Sequence, residues 1–320
     1  MPNIYHYTQI ETFNKMLGEY NSNNPNICFW ATHYKFTNDP TEYNFGGYAL
    51  IRNLPKIEEE LNIPIYQRFS ELLIKCPELF NFLLEYNKNK PFVELIADAP
   101  MTIQEASYLI SFSENRDSIP MWGMYGGNGS GISLGFCKEK LFCAEKMIQD
   151  DASCDFIQCL YCDEKNESVM FPIEEYMICK DLYIKLTNPK VIQSLSLLYG
   201  VDDYTKHPLY YKVILTIISE MFFLIGSKTK HKEYYYEREW RLSISNHETK
   251  AINYRDNSHG TKVPYVSVYI PFCALDEIII GPTNDFNASK KQLINQLKAL
   301  GIEFDSNKII RSAAPYRTNH

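Results

Sequence analysis

No apolar run in the chain approaches the roughly 20 residues needed to cross a bilayer, and the longest candidate, Val213 to Gly226, is interrupted by Ser219 and Glu220. The opening Met1-Pro2-Asn3-Ile4-Tyr5-His6 lacks the basic segment and apolar stretch of an export signal. Cysteine is sparse and odd in number, nine scattered over 320 residues, which argues against a disulfide framework and fits reduced thiols in a cytosol. Positive charge is in deficit: a net charge of -7 excludes a surface uniformly adapted to polyanions, because such binding depends on neutralising phosphates. Walker lysine, GxGxxG, HExxH and Ser-His-Asp arrangements are missing, as are repeats, heptads and low-complexity tracts. The expectation is a cytoplasmic protein with no membrane partner and no metal.

What is present is ample core material. With 45% apolar and 22% charged residues, the chain has the composition of a globular protein, and 320 residues fit one elaborated domain. Strands are predicted at Ile4 to Thr8, Ile27 to Thr32, Tyr108 to Ser113, Ser130 to Phe136, Ile157 to Cys162, Glu239 to Ser245, Val263 to Ile270, Glu277 to Gly281 and Lys308 to Arg311. Helices are predicted at Gln9 to Gly18, Pro120 to Tyr125 and Ala288 to Leu300. Helical periodicity also dominates two longer stretches, about 43–106 and 173–227. Together these predict an α+β fold, a mixed central sheet carrying two helical insertions within a single domain.

Several polar and aromatic clusters are candidates for one pocket. In Tyr5-His6-Tyr7-Thr8, strand alternation puts His6 and Thr8 on one side, where imidazole and hydroxyl can bond a ribose or an amide. A histidine tying the strand to a loop is the plainer reading. Asn38-Asp39-Pro40, with Glu42 beyond it, is first a turn, whose Asn and Asp cap backbone amides, and second a polar border to a pocket. Ser111 and Ser113 alternate at a strand end, and Trp122 and Tyr125 are three apart on one helical face, which serves either core packing or stacking on a flat ring. The glycines at 126, 127, 129 and 131 give only a weak phosphate signal.

Glu237-Arg238-Glu239-Trp240-Arg241 is the most informative segment. As a strand, it sets Glu237, Glu239 and Arg241 on one face, and two carboxylates and a guanidinium are costly to bury unless they pair or serve a ligand. A glutamate so held can bond a ribose hydroxyl, stabilise an oxocarbenium-like transition state or act as a general base. A structural Glu-Arg network is the alternative. Upstream, Lys228, Lys230, His231 and Lys232 precede Tyr234, Tyr235 and Tyr236, a combination suited to phosphates and bases, with a solvated basic loop as the plainer reading. Cys159-Leu160-Tyr161-Cys162 reads as small apolar residues in a strand, since zinc wants four ligands in paired spacing.

The ordered set Tyr5 to Thr8, Asn38-Asp39-Pro40 with Glu42, Ser111 to Glu114, Met121-Trp122 with Tyr125, Gly131 to Phe136, Glu237 to Arg241 and Ile278 to Gly281 resembles a bacterial family catalogued as domain of unknown function 2971. Its members resemble components of mobile or defence loci. A second resemblance is to ADP-ribosyltransferases of the DarT and poly(ADP-ribose) polymerase kind. That resemblance implies their fold and NAD as a substrate, with His6 on the nicotinamide-side ribose and Glu239 as the catalytic glutamate. It further implies that Ser111 or Ser113 supports the pocket, that Trp122 or Tyr125 stacks nicotinamide, and that Glu237 opens a Glu-x-Glu motif. Tyr7, Thr8, Asn38, Asp39 and Arg241 complete the expected NAD-binding set. The acceptor would be nucleic acid or protein, slightly favouring nucleic acid, and a toxin or anti-phage setting would imply an antitoxin or defence-system partner. A non-catalytic nucleotide or nucleic-acid sensor built on the same pocket is the competing expectation.

Overall fold

The computed structural model describes residues 3–38, 107–141, 153–162, 188–202, 226–245, 252–256 and 260–316, with 55–56, 58–60, 62, 180 and 184 in short pieces. The chain divides into two compact units: Met1–Thr37, Ala106–Cys159 and Glu233–His320 form the first, and Asn38–Glu105 and Leu160–Lys232 the second. Most of the predicted insertions fall in the second unit and outside the described residues.

The first unit is α+β, built on a ten-stranded mixed sheet. Its strands are β1 (Ile4–Thr8), β2 (Asn26–His33), β3 (Ser107–Ser113), β4 (Ile132–Phe136) and β5 (Ser153–Gln158), then β8 (Glu239–Ser245), β9 (Asn253–Asp256), β10 (Lys262–Pro271), β11 (Leu275–Ile280) and β12 (Ile309–Arg311). In the second unit, β6 (Leu160–Cys162) and β7 (Thr229–His231) form a parallel pair. The helices described from end to end include α1 (Ile10–Met16), α2 (Ile119–Met124), α3 (Pro189–Tyr199) and α4 (Phe286–Ala299), and residues 138–141 are also helical. No described helix is long and apolar enough to cross a membrane.

Strand order is β12-β11-β4-β1-β3-β2-β10-β9, with β8 also on β3 and β5 beyond β8. Because β8 pairs with β3 along Ser107 to Ser113, one edge of β3 is fully taken. The other edge is shared: β1 pairs at Tyr5↔Ser113, and β2 pairs at Thr32↔Leu109 and His33↔Tyr108. Between these points β1 and β2 diverge and the sheet splits.

Period-two alternation gives the sheet two unlike faces. One carries the main core, in which Ile4, Phe29, Phe112 and Leu242 pack with Phe13 and Leu17 beside α1 and Leu293 and Leu297 of α4. Phe13, Leu17 and Leu293 are fully buried, each side chain contributing about 1.5–3 kcal/mol. The opposite face carries a smaller cluster of Tyr5, Tyr7, Met121, Trp122 and Ile279, flanked by Tyr125, Tyr236 and Tyr316. α4 starts on Asp285, whose carboxylate accepts the Ala288 N–H at 3.1 Å.

Most predicted elements of the first unit occur where the residue pattern puts them, within a residue or two at each end. One does not: Ile157 to Cys162 is not a continuous strand. It breaks at Cys159, whose N–H bonds the Glu239 carbonyl at 2.9 Å, and the next residues pair with β7 instead.

Candidate functional site

The smaller cluster adjoins a row of polar side chains. Register fixes which ones, because Tyr5 is opposite Ser113, and Ser113 and Ser111 are opposite Glu239 and Arg241. Directly paired residues share a face, so Tyr5, Tyr7, Ser111, Ser113, Glu239 and Arg241 all lie on the side away from the main core. Arg241 is fully buried and Glu239 is 3% exposed. The guanidinium clamps both carboxylate oxygens, Nε to Oε1 at 2.9 Å and Nη2 to Oε2 at 3.1 Å.

Glu237 reaches this face by another route than alternation. It ends a 3-10 helix over Lys232–Glu237, and Arg238 then takes a left-handed φ of 42° before β8 begins. That turn swings Glu237 inward, 3% exposed, where the Tyr125 phenol donates to its Oε1 at 2.6 Å. The Ser113 hydroxyl donates to its main-chain carbonyl. The Arg238 carbonyl accepts the Glu114 N–H at 3.1 Å, which ties the turn to the loop after β3.

That loop holds the site together. Asn115 donates from Nδ2 to the Tyr236 carbonyl at 2.6 Å and from its N–H to Ser113 Oγ at 3.0 Å, while its own carbonyl accepts the Tyr7 hydroxyl at 2.8 Å. Asp117 accepts three donors at 2.6 Å: Trp122 Nε1, Ser312 Oγ and the Ala313 N–H. Trp122 is fully buried and meets the Tyr7 ring edge-on at 4.9 Å. Burial pushes the Tyr7 phenol up from its ordinary pKa, so it stays protonated as a donor. Asn115 and Asp117 carry no motif of their own; the run of Asn, Asp and Ser between a strand and a helix is the only sequence signal for them.

The expected site residues therefore separate. Glu237, Glu239, Arg241, Tyr7, Ser111, Ser113, Trp122 and Tyr125 come together on one face. His6 and Thr8 alternate to the opposite face from Tyr5 and Tyr7, so His6 is not beside Glu239. Its ring packs against Phe29 and Phe112 at 5.1 and 5.8 Å, with Nδ1 2.9 Å from the Ser111 carbonyl. Burial lowers the imidazole pKa from its ordinary value, more than the bond to Ser111 raises it. Asn38 belongs to the second unit, and Asp39, Pro40 and Glu42 lie outside the described residues.

The glycine-rich turn is a packing device rather than a phosphate cradle. The N–H groups of Gly126, Gly129, Ser130 and Gly131 bond carbonyls of the same loop or of α2. A Cβ on Gly131 would sit 2.3 Å from the Thr8 carbonyl oxygen, and one on Gly281 would sit 2.2 Å from that of Gly129. In the basic-aromatic stretch, Lys230 is buried at 4% exposure on β7 and Tyr235 is 60% exposed. Among the described residues no three His, Cys, Asp or Glu side chains gather as metal ligands. Cys159 is buried.

Residues 121–242 match the family described as Protein of unknown function (DUF2971). The similarity to DUF2971 is confined to that span. The DUF2971 match contains Trp122, Tyr125, Glu237, Glu239 and Arg241, while β1 with Tyr5 and Tyr7 lies outside it. No curated protein and no solved structure matches the chain.

A charged cluster on the same face, built from residues on either side of the DUF2971 span, gives a pH-dependent prediction. Arg116 grips Glu277 through Nε at 2.9 Å and Nη2 at 2.8 Å, and Tyr5 donates to the same carboxylate at 2.9 Å. The guanidinium first, and Tyr5 after it, hold Glu277 below its ordinary 4.5 against the opposing effect of burial. A depressed folded-state pKa contributes stability above the unfolded value and loses it as pH falls through the folded one. Arg116 is 51% exposed, so the contribution is at most about 1 kcal/mol. Glu277→Gln is expected to flatten the fall in unfolding midpoint below pH 4.5 and leave neutral stability lower by that small amount, as read by denaturant titrations across pH.

Proposed function

We propose that this protein is an NAD-dependent ADP-ribosyltransferase-like effector, with a sheet of the ADP-ribosyltransferase kind, that modifies a macromolecule in a bacterial toxin or anti-phage system. The observation that carries the reading is the pair of buried carboxylates, Glu237 and Glu239, on a face lined by Tyr7, Trp122 and Tyr125. Buried negative charge beside aromatic rings suits a sugar cation flanked by a flat leaving group. The bond broken is that between ribose C1′ and the nicotinamide nitrogen, which keeps the electron pair. The acceptor nucleophile then bonds to C1′ and gives up its proton.

Glu237, oriented by the Tyr125 phenol, is the better candidate for the carboxylate that steadies the oxocarbenium ion. Glu239, with both oxygens on Arg241, shapes the field around it. His6 has no direct part in this version. Nucleic acid is the favoured acceptor over protein.

A second reading has its own support. The Arg241 clamp and the placement of His6 on the other face suit a non-catalytic nucleotide sensor, which needs recognition without a reactive carboxylate. Incubation with labelled NAD separates the two. The transferase releases nicotinamide and labels DNA, RNA or protein, and Glu237→Gln lowers that rate by about a hundredfold or more. Tyr125→Phe, which keeps the ring and removes the phenol donor, lowers it less. Absence of nicotinamide release and labelling from the unaltered protein, or an unchanged rate in Glu237→Gln, sinks the transferase reading.

A further inference from the structure

Across the split from the carboxylates, the same sheet face carries a second cluster that the proposed chemistry does not use. Tyr265 is opposite Thr32, Ser267 opposite Trp30 and Tyr269 opposite Cys28, so these side chains form two adjacent rows on β10 and β2. The alternating residues Phe29, Ala31, Val266 and Val268 point into the main core, which leaves Trp30, Thr32, Tyr265 and Tyr269 outward. Trp30 and Tyr265 are half-buried and tilted against each other, ring centres 5.7 Å apart. Tyr269 is 38% exposed and donates to Glu19 at 2.7 Å. Tyr265 to Tyr269 is four residues of strand, about 13 Å.

Arg255 completes the cluster. It lies on the exposed edge strand β9, paired with Val263, and folds back over the sheet. Its Nη2 donates to Thr32 Oγ1 at 2.9 Å and its guanidinium carbon is 5.8 Å from the Trp30 ring centre. Among the described residues it meets no carboxylate. Burial lowers its pKa from the ordinary value, and Tyr265 raises it by less. A cation held over one of two neighbouring aromatic rings suits a phosphate joined to flat bases.

We infer that the face formed by Trp30, Tyr265, Tyr269 and Arg255 is a binding platform for single-stranded nucleic acid. Bases stack on Trp30 and Tyr265, Arg255 takes a backbone phosphate, and the Thr32 hydroxyl holds the guanidinium in place. Glu19, on Tyr269, confines the phosphate to the β9 end. Open sheets bind single strands in this manner because stacking tolerates any base. A net charge of -7 is compatible with this, since a stacking platform asks for few cations. The inference deepens the proposed function by naming the acceptor, and stands on separate residues.

The test is fluorescence polarisation of labelled single-stranded DNA and RNA oligonucleotides on the full chain. Arg255→Gln and Trp30→Leu are each expected to weaken binding about tenfold, and Trp30→Phe to retain most of it. Arg255→Gln should also lower the slope of log affinity on log salt by about 0.7. Arg255 is on an exposed edge strand, so its variant decides the matter if Trp30→Leu fails to fold. Single strands that do not bind, that bind both variants like the unaltered chain, or that compete equally with duplex or mononucleotide overturn the platform. Nicotinamide release is measured alongside. Oligonucleotide binding lost in the variants with release intact supports both readings; binding lost in the same way from a chain that never cleaves NAD supports the platform and removes the transferase.

Discussion

Arg241→Ala is expected to destabilise the protein by about 3–5 kcal/mol, the usual cost of leaving one member of a buried ion pair behind. Burial sets the size of the effect: Arg241 is fully enclosed and Glu239 nearly so, with both carboxylate oxygens on the guanidinium. Removing the cation takes the guanidinium from a carboxylate that is buried at the start of β8. The single change therefore costs far more than the pair is worth. Replacing both residues, as in Arg241→Met with Glu239→Leu, should recover most of the loss, because the desolvation of two charges disappears with them. Denaturant unfolding of the single and double variants measures this. A single variant that unfolds at the unaltered midpoint would mean that Glu239 is hydrated or otherwise compensated once the arginine is gone.

Trp122→Ala is the second large effect, about 3–5 kcal/mol, as for other large-to-small changes at fully buried aromatics. The indole fills the space between Tyr7 and the glycine turn so closely that a Cβ on Gly126 would lie 2.5 Å from it. Its loss opens a cavity and strips Asp117 of one of three donors. Trp122→Phe separates the two contributions. It keeps much of the packing and removes only the donor, an expected cost of about 1–3 kcal/mol. Equal midpoints for Trp122→Phe and the unaltered chain would show that Asp117 is satisfied by Ser312 and Ala313 alone.

Much of the first unit is legible in local pattern, because β1, β2, β3, β8 and β10 alternate and the α1 and α4 faces repeat at helical spacing. Glu239 and Arg241 share a face as their spacing indicates. Glu237 joins them for a reason that spacing does not carry: a non-glycine residue, Arg238, turned left-handed by the bonds around it. The break at Cys159 is equally hidden, since it depends on β7, some seventy positions away in the chain. His6 shows the general difficulty. Alternation says that His6 and Thr8 point together, but only the β3–β8 register says which face bears the carboxylates. The Arg116–Glu277 and Trp30–Arg255 contacts join residues far apart in sequence, with no local signature at either end.

A strand with three neighbours changes owner partway along one flank, and β3 is such a strand. Where β1 lets go and β2 has not yet taken over, main-chain groups on that flank of β3 have no ladder to join. The imidazole of His6 answers by standing in for a missing strand: it reaches the Ser111 carbonyl and fills the wedge between Phe29 and Phe112. The sheet of the first unit is in this sense two leaves bound to a common spine of β3 and β8, with His6 as the stitch where the binding opens. The β3–β8 ladder keeps the carboxylates in register on the far face, and His6 meets that ladder from the other side at Ser111.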